Sequence, residues 1–174
     1  MARPTTKELD LSGLRLAIAA ACLAMPLSLA RAADPLQPVC IRIGKTPMAL
    51  RMMVPAAARI VRRDDGTVRI DPDGGVRLLK FLNIGAFDPA TLPAAGFPEV
   101  ARFPNGIEVR FGTKTDGGGS GRPESHLDGM MIIDDMGTLS LSCHDQSEDR
   151  DPSARWCLDD LRGASVGPAG SGCP

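Results

Sequence analysis

Four cysteines restrict this chain more than any other feature of its sequence. Cys40, Cys143, Cys157 and Cys173 remain once Cys22 is set aside, because Cys22 falls in a segment that reads as an export signal. Residues 1–15 carry Arg3, Lys7 and Arg15, residues 16–29 are almost wholly apolar (LAIAAACLAMPLSL), and Ala30-Arg31-Ala32 ends the run. A charged start, a short apolar core and an A-x-A end are the three parts of a secretory signal. The apolar run is shorter than the roughly 20 residues that cross a bilayer, and Pro26 interrupts it. No twin-arginine pair stands in the first 30 residues. The expectation is a signal peptide over residues 1–32, cleaved after Ala32 and taken by the general secretory route. Residues 33–174 then form one domain, periplasmic or secreted, with no membrane anchor left after cleavage.

In an oxidising compartment an even set of cysteines predicts disulfides, and four allow three pairings. Periodicity favours one of them. Leu139, Leu141 and Cys143 alternate with Thr138, Ser140 and Ser142, which places Cys143 on the apolar face of a strand. Cys157 falls with Ala154, Leu158 and Leu161 at helical spacings, so it also faces inward. A Cys143–Cys157 bridge would staple helix to strand, leaving Cys40 and Cys173 to tie the two ends. No C-x-x-C spacing occurs, so a zinc site is not expected and no metal ligand set is assigned.

Short apolar runs broken by turns predict strands over Val39–Ile43, Met48–Val54, Arg59–Arg63 and Thr67–Ile70. Further strands are expected at Val76–Ile84, Ile107–Lys114, Leu127–Ile133 and Thr138–Cys143. Asp64-Asp65-Gly66 supplies a tight hairpin turn, and Val76–Ile84, the most apolar run, is expected at the centre of the sheet. Gly85–Gly106 holds Pro89, Pro93, Pro98 and Pro104 and cannot lie in a sheet interior. Asp88-Pro89 caps a short helix there, and Asp151-Pro152 opens a longer one ending near Arg162-Gly163. Ala164–Pro174 reads as an irregular tail held by Cys173. The fold class expected is α+β, mainly antiparallel β, in a single small domain with one C-terminal helix and two disulfides.

Charge is unevenly spread. Residues 33–115 hold 12 basic and 8 acidic side chains, whereas residues 116–160 hold 3 basic and 11 acidic. That division suits either a solvated acidic face or a basic partner. Nucleic acid is excluded as a partner: the chain has no Tyr, one Trp and no basic run, so it lacks stacking platforms.

Catalytic constellations are weak. His126 lies near Ser120, Glu124 and Asp128, but Gly118-Gly119-Ser120-Gly121-Arg122 is not a G-x-S-x-G elbow. His144 beside Cys143 suggests a thiol nucleophile, a use that a disulfide removes. Asp134-Asp135 and the run Asp145, Glu148, Asp149 and Asp151 offer hard oxygen ligands for calcium, yet neither matches an EF-hand loop. No cofactor is therefore expected, with calcium as the one candidate. The Gly-rich stretch Asp116–Pro123 predicts either a plain hairpin connection or a projecting loop that approaches a partner closely.

Three runs carry a family resemblance: Gly118-Gly119-Ser120-Gly121-x-x-Glu124-x-x-Leu127, Ser142-Cys143-x-x-Gln146-Ser147-Glu148 and Trp156-Cys157-Leu158. Together they resemble the periplasmic immunity proteins of type VI secretion systems, most nearly those that neutralise a peptidoglycan-cleaving muramidase effector. The resemblance implies a small β-rich domain, not an enzyme, that plugs the effector's active-site cleft, with acidic residues and calcium sometimes involved. Gly118, Gly119, Ser120, Gly121, Glu124, His126 and Asp128 would then form the partner-binding set. A second class is a periplasmic lysozyme inhibitor or small ligand-binding module with no immunity role. Activity against lysozyme separates the two, because specific immunity predicts none.

Overall fold

A computed structural model describes residues 35–75, 80–117, 122–146, 152–170 and 173. The expected signal peptide and the glycines and serine of 118–121 lie outside these residues. In chain order the elements are β1 (Leu36–Arg42), β2 (Met48–Pro55), β3 (Arg59–Arg62), β4 (Val68–Asp71), β5 (Lys80–Ala86) and β6 (Glu99–Arg102). There follow β7 (Ile107–Asp116), β8 (Glu124–Ile133), β9 (Gly137–Asp145), α1 (Trp156–Arg162) and β10 (Ser165–Pro168). Among the described residues every strand pairing is antiparallel. A three-stranded sheet runs β1-β2-β10, and a seven-stranded sheet runs β3-β4-β5-β9-β8-β7-β6. The fold is therefore mainly antiparallel β with one α-helix among the described residues, as the turn-punctuated sequence predicts.

Turn chemistry fixes the hairpins. At β3–β4 the Asp65 carboxylate accepts the Thr67 N–H at 2.8 Å, and Gly66 takes a φ of 82°, a left-handed conformation that costs glycine nothing. That N–H holds the Asp65 carboxyl below its usual range. Between β8 and β9 a 3-10 turn over Asp134–Met136 sets Ile133 opposite Gly137. Every later pair in that hairpin follows from this one, because register is carried from the turn.

Alternation then builds one core. Ile107, Val109 and Phe111 of β7, Leu127, Met131 and Ile133 of β8, and Leu139 and Leu141 of β9 point to the same buried side. Ile41, Leu50, Met52 and Val54 of the small sheet, with Leu161 of α1, join the same apolar cluster. Burying each such side chain stabilises the fold by roughly 1.5–3 kcal/mol. Two disulfides lock the arrangement: Cys143–Cys157 ties β9 to α1 with Cα atoms 6.5 Å apart, and Cys40–Cys173 ties β1 to the C-terminal segment at 5.1 Å. Asn105 Nδ2 donates to the carbonyls of Leu161 and Ala164 at 3.0 and 2.8 Å, which ties the end of α1 and the residues after it to the β6–β7 turn; Leu161's carbonyl also accepts the Ala164 N–H.

Gly129 has to be glycine for a packing reason. It sits opposite Phe111, and a Cβ there would press on the Arg110 carbonyl oxygen and the Phe111 side chain. Backbone cannot yield as a flexible side chain does. Gly129→Ala is expected to lower unfolding free energy by about 1–3 kcal/mol, read as a lower urea midpoint at unchanged slope.

Several sequence expectations need correction. The central strand of the large sheet is β9, not the run Val76–Ile84, of which residues 76–79 lie outside the described set. The Phe81 ring lies on the outer face under the Arg69 guanidinium, 4.0 Å away, so apolarity there does not signal burial on both faces. Of the stretch 85–106, Gly85 and Ala86 do lie in the sheet interior, ending β5 beside β9; the Pro-rich remainder stays out of it, its strand β6 lying at the edge, where proline-flanked strands are tolerated. The tail is not wholly irregular, since β10 pairs with β2. The helix starts at Trp156 rather than near Pro152, because Ser153 N–H donates to Asp145 and Ala154 N–H to Ser125 Oγ. Those two bonds hold the preceding segment to the sheet.

Candidate functional site

The side chains that do not enter the core line the other face of the seven-stranded sheet. Register puts Phe81 (β5), His144 (β9), His126 (β8) and Lys114 (β7) in one row across four strands. The next row is Arg69, Asn83, Ser142, Asp128 and Gly112. These two rows are thus mainly polar and charged, with the Phe81 ring of β5 set among them.

The first row makes a contiguous stack. Arg69 lies over Phe81, and Phe81 stacks on His144 with ring centroids 4.8 Å apart and planes 12° from parallel. His144 meets His126 edge to face, with their Nδ1 atoms 3.2 Å apart. His126 Nε2 lies 3.6 Å from a Glu124 carboxylate oxygen, and Gln146 Nε2 donates to the other Glu124 oxygen at 2.6 Å. Cross-strand pairs of this kind hold side chains at close, fixed separations. Burial, and next the neighbouring His126, hold the His144 imidazole below its ordinary pKa. Both causes favour the neutral imidazole, which can accept at one ring nitrogen.

Positive charge gathers farther along the same face. Glu108 accepts from Arg102 Nε at 2.8 Å and from Arg110 Nε at 2.7 Å, and the two guanidiniums, Arg110 foremost, hold its carboxyl below the usual range. The Arg155–Glu99 pair at the β6 edge lies on the opposite side of the sheet, where Glu99 stands across from Phe111. The Glu124 end and the Arg102–Glu108–Arg110 end thus present different arrangements of charge, which gives a partner a preferred orientation.

Of the residues picked out from sequence, Glu124 and His126 come together on β8. Asp128 lies on the same face, exposed, between Ser142 and Gly112. Gly118, Gly119, Ser120 and Gly121 lie outside the described residues, but the strands flanking them pair as far as Asp116 opposite Glu124, so the Gly-rich stretch joins β7 to β8. The thiol reading of Cys143 fails because its sulfur is in a disulfide. Asp145 is buried, 3.8 Å from Lys80 Nζ, and accepts the Ser153 N–H at 3.0 Å. Its carboxylate serves the fold, while Glu148, Asp149 and Asp151 lie outside the described residues. Sequence motifs alone point to no binding role for His144. Its signal was its alternation with Cys143, which puts it on the outer face.

The chain matches the family model Tsi3, the type six secretion immunity 3 domain, over residues 51–164. A comparison with curated proteins finds no match. A crystal structure from Bacteroides thetaiotaomicron VPI-5482, at 1.50 Å resolution, is similar with a TM-score of 0.46 and 9% identity. That similarity covers 71% of this chain and 46% of the other, so this chain spans less than half the length of its structural neighbour.

Proposed function

The chain belongs to the type six secretion immunity 3 family, and on that premise we propose that it acts in the periplasm, binding and blocking a muramidase effector that cleaves peptidoglycan. The observation that carries this reading is the family match itself, which takes in β3 to α1 and with them the whole polar face of the large sheet. An immunity protein binds a secreted effector, and this chain offers a pre-formed surface for doing so. Its contact side chains stand on paired strands, so little ordering entropy is lost on binding.

The contact set is the β7–β8 connection, Gly118, Gly119, Ser120 and Gly121, together with Glu124, His126 and Asp128 on β8. The acidic excess of residues 116–160 steers a basic cleft toward that end. Blocking a cleft needs shape and charge, not turnover, so the chain itself is no enzyme. Residues 1–32 serve as its export signal.

The experiment is periplasmic co-expression with the effector encoded beside it. Cells carrying the intact chain are expected to survive and to hold the effector in a complex. Removing residues 117–123 is expected to abolish protection while the protein still accumulates. Protection that survives this deletion would refute the loop assignment. Inhibition of unrelated lysozymes by the purified protein would favour a general inhibitor, and peptidoglycan turnover by the protein alone would make it an enzyme.

A further inference from the structure

We propose that Glu124, His126 and His144 form a binding site for one divalent transition-metal ion of the zinc class. Each of the three offers a ligand atom, and these atoms all lie within 4.8 Å of one another. The two Nδ1 atoms are 3.2 Å apart. Two imidazole nitrogens bound to one tetrahedral zinc, at bonds of about 2.0–2.1 Å, stand about 3.3 Å apart. The pair is therefore already spaced for a shared ion, with no strand movement required.

The surroundings fix each ligand. Phe81 stacks on the His144 ring and sets its plane. Gln146 holds one Glu124 oxygen at 2.6 Å, and the other faces His126. The Glu124 carboxylate belongs to the same group of ligand atoms, all within 4.8 Å of one another. Partners that orient ligands in this way raise affinity for the ion. Glu124 and His126 are two residues apart on β8, and His126 is directly opposite His144 on β9, so the backbone spacing of a sheet defines the site.

Ligand chemistry selects the ion. Two imidazoles and one carboxylate suit zinc, nickel or copper, whereas calcium and magnesium take all-oxygen shells. Three protein ligands leave a fourth position, and His126, 35% exposed, turns it toward solvent. The site does not depend on the immunity reading, since the ion binds the chain alone.

The test is calorimetric titration of the purified, tag-free protein with zinc chloride and, separately, calcium chloride. One zinc per chain is expected, with no saturable calcium binding. Trp156, the sole tryptophan, has its Nε1 3.4 Å from the His144 carbonyl oxygen, so copper(II) is expected to quench its fluorescence saturably. His126→Gln and Glu124→Gln should each weaken zinc binding by more than the roughly 10–100-fold that loss of a supporting partner costs. Both side chains are partly exposed, and near-ultraviolet circular dichroism checks that each variant keeps the fold; should one not fold, the other decides. Absence of saturable zinc binding below millimolar concentration would overturn the proposal. So would wild-type zinc affinity in the folded variants, or calcium binding in place of zinc.

Discussion

Replacing Cys40 and Cys173 together by alanine is expected to remove up to about 5 kcal/mol of stability, the chain-entropy value for so long a closed loop. The link spans 133 residues of sequence, so its loss frees almost the whole domain to expand when unfolded. Cys143–Cys157 spans 14 residues, and the same reasoning gives about 3 kcal/mol. Domains of this size have about 5–15 kcal/mol in all, which makes the longer link a large share. Guanidinium unfolding of the two double variants checks this. The Cys40/Cys173 variant should lose more, and its denaturant slope should rise because its unfolded state exposes more surface. A greater loss from the shorter link would show that native-state packing around Cys143 and Cys157, not chain entropy, sets the ranking.

Asp128→Arg is expected to weaken effector binding by about 100-fold or more, about 2.7 kcal/mol, through reversal of a charge at the contact. The change should leave the fold nearly untouched. Asp128 is exposed, and its register partners Ser142 and Gly112 carry no charge. Exposed substitutions of that kind shift stability by about 0.5 kcal/mol or less. Affinity measured by calorimetry, beside survival of cells co-expressing the effector, separates a lost contact from a lost fold. Undiminished affinity in a folded Asp128→Arg protein would remove the β8 face from the proposed contact set.

Sequence made some parts of this molecule plain because their physics is local. Ile107, Val109 and Phe111 alternate, and strict alternation has one simple outcome, a strand buried on one side. Asp65-Gly66 announces its hairpin by the conformations those two residues accept. Inward-facing periodicity of Cys143 and Cys157 is likewise a local property, and it placed both sulfurs on facing elements. β6 and β10 were harder to see, being four residues each and set among prolines and glycines. They are strands because neighbours pair with them, not because their residues prefer it. His144 shows the same limit at the site. That it faces outward follows from Cys143, but that it meets His126 follows from the turn at Asp134–Met136. That turn uses a positive φ of 38° at Asp134, with none of the Asn-Gly or Asp-Gly chemistry that marks a hairpin from afar. A different turn length would have set His144 against another row.

The place of β10 has a consequence for how the chain becomes a finished molecule. The strand at Ser165–Pro168 completes a sheet begun by Leu36–Arg42, and it does so by pairing with Met48–Pro55. β1 and β2 pair with each other, but the second edge of β2 must wait for a partner more than a hundred residues further along the chain. The large sheet consists mainly of neighbours in sequence and can assemble as it emerges. Until residue 168 arrives, the outer edge of β2 stays unpaired and open to other chains. The small sheet is therefore completed only after every strand of the large sheet has emerged.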